Sequence, residues 1–101
     1  MDLEIGQVVR SRAGRDKDKH YIVIGFEGER VLVADGRART VKQPKKKNLR
    51  HLQPYRFVIE EIKERIRQGN LSDAVLREQL NLLHSAEKDD SRYRWISSTP
   101  G

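Results

Sequence analysis

Basic residues crowd two short stretches of this chain, and their spacing is the first chemistry it offers. Arg12, Arg15, Lys17 and Lys19 surround Gly14 in one stretch. Arg37, Arg39, Lys42, Lys45, Lys46, Lys47 and Arg50 make the other, with no acidic residue between Asp35 and Glu60. Cations grouped this way can neutralise phosphates and release counterions. Four to six such contacts would make log K fall with log salt at a slope of roughly −3 to −5. Gly14 lets the backbone turn tightly or approach a ligand closely. Asp16 and Asp18 dilute the charge of that loop and can cap turns or orient the neighbouring bases. A charge run of this kind is equally compatible with a solvated loop. On the phosphate reading, exchanging Lys45, Lys46 and Lys47 for Glu should abolish RNA retention and leave the fold intact.

The distribution of charge says more than its sum. The 101 residues carry a formal charge of +6, with 13 Lys and Arg against 7 Asp and Glu in residues 1–55 and 8 against 8 in residues 56–101. The whole excess lies in the first half, which points to a nucleic-acid partner rather than to a uniformly solubilising surface. Cysteine is absent, which removes disulfides and thiolate metal sites. No apolar run approaches the ~20 residues of a membrane span. The start, Met1-Asp2-Leu3-Glu4, is acidic and lacks a secretory core, so the expected location is the cytoplasm. Catalysis is not expected: His20, His51 and His84 are scattered, none pairs with a carboxylate at a ligand-like spacing, and the glycines are isolated. The sequence therefore calls for no cofactor, metal or small-molecule substrate.

These cations need a scaffold, and the first half reads as short strands. Gln7–Arg12 and His20–Gly25 are strand-like, and Glu27-Gly28-Glu29 turns the second into Arg30–Ala34 as a hairpin. Asp35-Gly36 is a further turn signal, leading to a shorter strand around Arg39–Lys42. Leu49–Gln53 fits a fifth strand or one tight helical turn, and Pro54 closes the unit. Five short strands in this length suit a small SH3-like barrel, although periodicity alone does not separate it from an OB-like or open meander arrangement. After Tyr55 the period becomes helical. Phe57, Val58, Ile59, Ile62 and Ile66 form one stripe, stopped by Gly69-Asn70. Ser72 is placed to cap a second helix, with Leu71 and Leu76 as a staple and Val75, Leu76, Leu80 and Leu83 as its apolar face. The expected class is α+β: a barrel over residues 1–55, a helical hairpin over 56–86, and a flexible tail over 87–101. The hairpin either packs on the barrel, adding core that a unit this small lacks, or docks on a partner protein.

The aromatic residues divide. Tyr21 and Phe26 flank a strand expected to be buried, and read as core rather than as platforms for bases. Tyr55 and Phe57 lie where sheet meets helix and read as a staple between them. Tyr93 and Trp95 alternate with Arg92 and Arg94, a pattern that suits stacking on unpaired bases as well as a tail folded back on the barrel. A methyl-lysine cage on the same barrel would need more aromatic residues than its strands carry.

Five blocks then fall in order: Gly6-Gln7-Val8-Val9; Ala13-Gly14-Arg15-Asp16 with Lys19; Ile22-Val23-Ile24; Arg30-Val31-Leu32-Val33 with Asp35-Gly36; and Lys47-Asn48-Leu49-Arg50-His51-Leu52 with Pro54. Together they resemble the KOW-domain proteins of the archaeal and eukaryotic large ribosomal subunit (the L-fourteen-e and L-twenty-seven-e group) and bacterial stand-alone KOW proteins of similar size. The resemblance spans residues 5–55. It implies an SH3-like barrel that binds ribosomal RNA without catalysis, with the family's glycine at Gly14 and its basic contacts at Arg15, Lys19, Lys47 and Arg50. It also leaves room for docking to ribosomal or transcription-machinery proteins. Many relatives have a second glycine where this chain has Asp18, a residue that tolerates positive φ less well than glycine.

Overall fold

The computed structural model describes residues 3–89 of the chain. Five strands come first: β1 (Gln7–Ser11), β2 (His20–Glu27), β3 (Arg30–Ala34), β4 (Lys45–Asn48) and β5 (Leu52–Val58). They are followed by helices α1 (Glu60–Gln68) and α2 (Asp73–Asp89). All pairings are antiparallel, in the order β4-β3-β2-β1-β5.

The expected SH3-like barrel is not formed. β4 and β5 are the two edges of the sheet and do not pair, so the sheet stays open. A single 3-10 turn, Leu49–His51, carries the chain from one edge to the other. Pro54, which has no N–H to donate, lies in β5, and sheets accept proline on an edge strand.

Successive side chains of a strand point to opposite faces, and here both faces are buried. Val8, Ile22, Ala34 and Tyr55 face the helices. Val9, Tyr21, Val23, Val31, Val33 and Leu52 form a second cluster on the other side. Among the described residues no helix covers that second cluster, yet Val9, Val23 and Val33 have no exposed surface. The sheet therefore curls over its own far face. Irregularities in register between Gln7 and Val9 on β1, and between Val23 and Gly25 on β2, supply local bends.

The shorter strand expected around Arg39–Lys42 is absent, and the strand lies at Lys45–Asn48 instead. Side chains take the backbone donors that a ladder would have used. Asp35 Oδ1 accepts the N–H groups of Arg37 and Arg39 at 2.8 and 3.0 Å, Asp73 Oδ1 accepts Val41 N–H at 2.8 Å, and Thr40 Oγ1 accepts Gln43 N–H at 3.1 Å. The loop is thereby fixed without being extended. β5 also runs past Pro54 to Val58, so Phe57 and Val58 belong to the sheet rather than to the first helix.

The helices cover the sheet. α1 opens with Glu60 and Glu61 and closes with Arg65 and Arg67, matching its dipole, and ends at the left-handed Gly69. Ser72 Oγ accepts Val75 N–H at 3.4 Å at the start of α2. The expected apolar face of α2 (Val75, Leu76, Leu80 and Leu83) is buried together with Ile59 and Ile62 in the cluster that faces the sheet. Each such side chain stabilises by about 1.5–3 kcal/mol as an upper estimate. The helical half thus adds its core to the sheet.

α2 also clamps the loop after β3. Arg77 Nη1 donates to the Gly36 carbonyl at 2.7 Å, and Asp73 holds Val41. Gly36 has φ 79°, and a methyl group there would overlap the Asp73 carbonyl oxygen. Gly36→Ala should therefore lower stability by about 2 kcal/mol or more, read as a lower urea midpoint. An unchanged midpoint would mean that the loop and α2 are not tightly joined.

Candidate nucleic-acid interface

The eleven basic residues singled out in the sequence fall into two groups that the sequence did not distinguish. Lys45, Lys46 and Lys47 form β4 with Asn48, and the strand's alternation sorts them. Lys45 and Lys47 both reach Asp16, while the exposed Lys46 turns the other way to Glu27.

Asp16 sits 5 % exposed beneath the Gly14 loop. Its Oδ1 accepts from Ser11 Oγ at 2.8 Å and Lys47 Nζ at 3.2 Å. Its Oδ2 accepts from Tyr21 Oη at 2.9 Å and Lys45 Nζ at 3.1 Å. Lys47, 7 % exposed, also donates to Ser11 Oγ at 3.0 Å and to the Ala13 carbonyl at 3.4 Å. Burial pushes the Asp16 carboxyl up. The hydrogen bonds from Ser11, Lys45, Tyr21 and Lys47 together outweigh it and hold the group well below the usual carboxylate range. The same burial, with the Asp16 charge beside it, raises the Tyr21 phenol.

This network shapes the loop above it. Asp18 N–H donates to the Ser11 carbonyl at 2.8 Å, Ser11 N–H to Lys19 at 2.9 Å, and Lys19 N–H to Asp16 at 2.9 Å. The chain reverses through Gly14 at φ 89° and Asp18 at φ 74°. Asp18 is thus the one non-glycine residue with positive φ among those described. Asp18 takes the left-handed turn without being glycine, and its carboxylate lies 3.8 Å from Arg10.

The second group is Arg12, Arg15, Lys17, Lys19, Arg37, Arg39, Lys42 and Arg50. All eight are exposed, and none has a carboxylate partner within ion-pair distance among the described residues. Arg30 and Arg56, which the sequence reading passed over, share both properties. They lie on strands rather than in a charge run, so only the fold reveals them. On α1 the opposite holds. Lys63 pairs with Glu4 and Glu60, Arg65 with Glu61, and Arg67 with Glu64.

Arg12 and Arg50 come together at the open side of the sheet. They line a cleft of about 840 Å³ with Glu29, Asn48, Leu49, Leu52, Gln53 and Pro54, and Arg12 N–H donates to the His51 carbonyl at 2.8 Å. The failure of the barrel to close is what makes this cleft. Lys19 and Arg37 meet at a second cavity on the α2 side. Arg15 and Lys17 stay on the Gly14 loop, and Arg39 and Lys42 on the loop after β3. Tyr93 and Trp95 lie outside the described residues. Tyr21 is core as expected, but Phe26 is 49 % exposed, so its expected burial is corrected. It stands near the end of β2, where the burial pattern gives way to solvent.

Asp16→Asn should destabilise the protein by about 3 kcal/mol, because it leaves two lysines without their carboxylate. The stabilisation is complete above the ordinary carboxylate pKa of about 4 and declines as pH falls below it, since the folded-state value is depressed. The wild-type urea midpoint should therefore fall more steeply than the variant's between pH 5 and pH 3; parallel profiles would count against the network. By the same geometry, Glu at Lys45, Lys46 and Lys47 together should unfold the chain, which reverses the expectation that it leaves the fold intact. No family model matches this chain, and no curated protein matches it in sequence.

Proposed function

We propose that this protein is a non-catalytic RNA-binding protein that holds the phosphate backbone on the exposed cations of its sheet half. The observation that carries this reading is the separation of charge. Nine exposed basic residues from Arg12 to Arg50, Arg30 among them, have no carboxylate partner within ion-pair distance among the described residues, while α1 neutralises each of its own. Unpaired cations on a surface are free to exchange counterions for phosphates. The cleft between the sheet edges adds apolar lining from Leu49, Leu52 and Pro54 beside Arg12 and Arg50, with Glu29 as its one acid, and two cations with apolar surface suit an unpaired nucleotide. The ordered blocks that resemble the large-subunit KOW proteins point the same way and make ribosomal RNA the first RNA to test. The apolar face of the helices is spent on the sheet, which weakens the alternative of a partner protein docked there.

Arg12→Ala with Arg50→Ala should weaken RNA binding and reduce the magnitude of the salt slope by about two. Arg65→Ala with Arg67→Ala should leave the slope unchanged. Co-sedimentation with large ribosomal subunits across a salt series reads both. Equal behaviour of the two pairs would mean that the unpaired cations do not form the interface, and no pelleting at any salt would remove ribosomal RNA as the partner.

A further inference from the structure

We infer that the cavity between β2 and α2 is a phosphate pocket, filled by a phosphate group of the bound RNA; the RNA source rests on the function proposed above. The cavity encloses about 320 Å³ and is lined by Lys19 and His20 at the start of β2, Arg37 in the loop after β3, and Asn81 and His84 on α2. Sequence order scatters these residues over more than sixty positions, and the fold brings them to one wall. It is also where the two basic stretches meet, since Lys19 closes the Gly14 loop and Arg37 opens the second run.

Part of the wall is held in place before any ligand arrives. His20 Nε2 lies 3.0 Å from Tyr55 Oη, its ring runs parallel to that of the buried Tyr55 at 5.8 Å, and His84 meets it edge-on at 5.0 Å. The acid of the cavity, Asp35, has Oδ1 committed to the N–H groups of Arg37 and Arg39. Those bonds fix the backbone that carries Arg37. Two permanent cations outnumber the single carboxylate of Asp35, and with an amide beside them the cavity favours an acceptor-rich anion over a metal cation. The two non-bridging oxygens of a phosphate group can take a bidentate pair from Arg37 and single bonds from Lys19 and Asn81, with the two imidazoles as neighbours. Because α2 supplies Asn81 and His84, the helical half takes part in recognition as well as in packing.

The test uses the full chain and two probes, inorganic phosphate and a single-stranded RNA oligonucleotide, with chloride at matched ionic strength as control. Ring resonances of His20 and His84 are followed by NMR. Both rings should shift saturably with each probe and stay still with chloride. Arg37→Ala should weaken the phosphate response at least fivefold, lower RNA affinity about threefold to tenfold, and reduce the salt slope by about one. Rings that ignore both probes while RNA still binds and perturbs Arg12 and Arg50 would overturn the pocket and leave the RNA reading standing. Chloride shifts equal to those from phosphate would also overturn it. Saturable shifts with phosphate from a protein that binds no RNA would keep an anion pocket and overturn both its RNA source and the proposed function.

Discussion

One buried carboxylate holds the sheet half together. Asp16 is reached from β1 by Ser11, from β2 by Tyr21 and from β4 by Lys45 and Lys47. Neither charge of such a cluster is tolerable alone. A buried lysine or carboxylate without its partner costs several kcal/mol, whereas the pair with its remaining valences satisfied costs little. Both oxygens of Asp16 have two donors each, so the condition is met. Because the donors come from three strands and the acceptor from a loop, the network fixes where the loop sits as well as how the strands align. The Gly14 loop is thus anchored from beneath and presents Arg15, Lys17 and Lys19 outward.

That anchoring explains why charge number is a poor guide to the interface. Lys47 sits in the most basic run of the chain and is nearly as buried as a core leucine. A lysine so enclosed serves the fold, and a phosphate could not reach it without breaking the network. Arg12 and Arg50 have the exposure that Lys47 lacks. The same logic separates the two halves of the molecule. On α1, acids one turn away from the bases hold them in i, i+3 and i, i+4 pairs. Among the described residues, no acid lies within ion-pair distance of the exposed loop bases.

How much of this was legible in the sequence depends on which signal marked each element. The hairpin of β2 and β3 was readable from β-branched runs around Gly28, and α1 and α2 from a 3.6-residue period with Gly69 and Ser72 as stop and start. β4 was not, because Lys45-Lys46-Lys47-Asn48 has no apolar residue. Its period of two is written in ion pairs, inward to Asp16 and outward to Glu27, and hydrophobic patterning cannot register that. Barrel closure depends on whether two edges meet, which no local pattern encodes. Strand position implies burial for Phe26, whereas the end of β2 is exposed. The approach of His20 to His84 is a property of packing alone.

The open sheet and the helical cover are two sides of one constraint. A sheet this small must bury both faces to be stable, and closing into a barrel is one way to do so. Here one face is covered by α1 and α2 and the other by the curl of the sheet itself. With both faces buried, the edges need not join, and the gap between β4 and β5 stays available as the cleft of Arg12 and Arg50. The cover is also what fixes the loop after β3, through Asp73 and Arg77, in a place where Arg37 faces Lys19 across the cavity. The helices are therefore not an appendage to a finished module. They let the sheet remain open and bring its two basic stretches together.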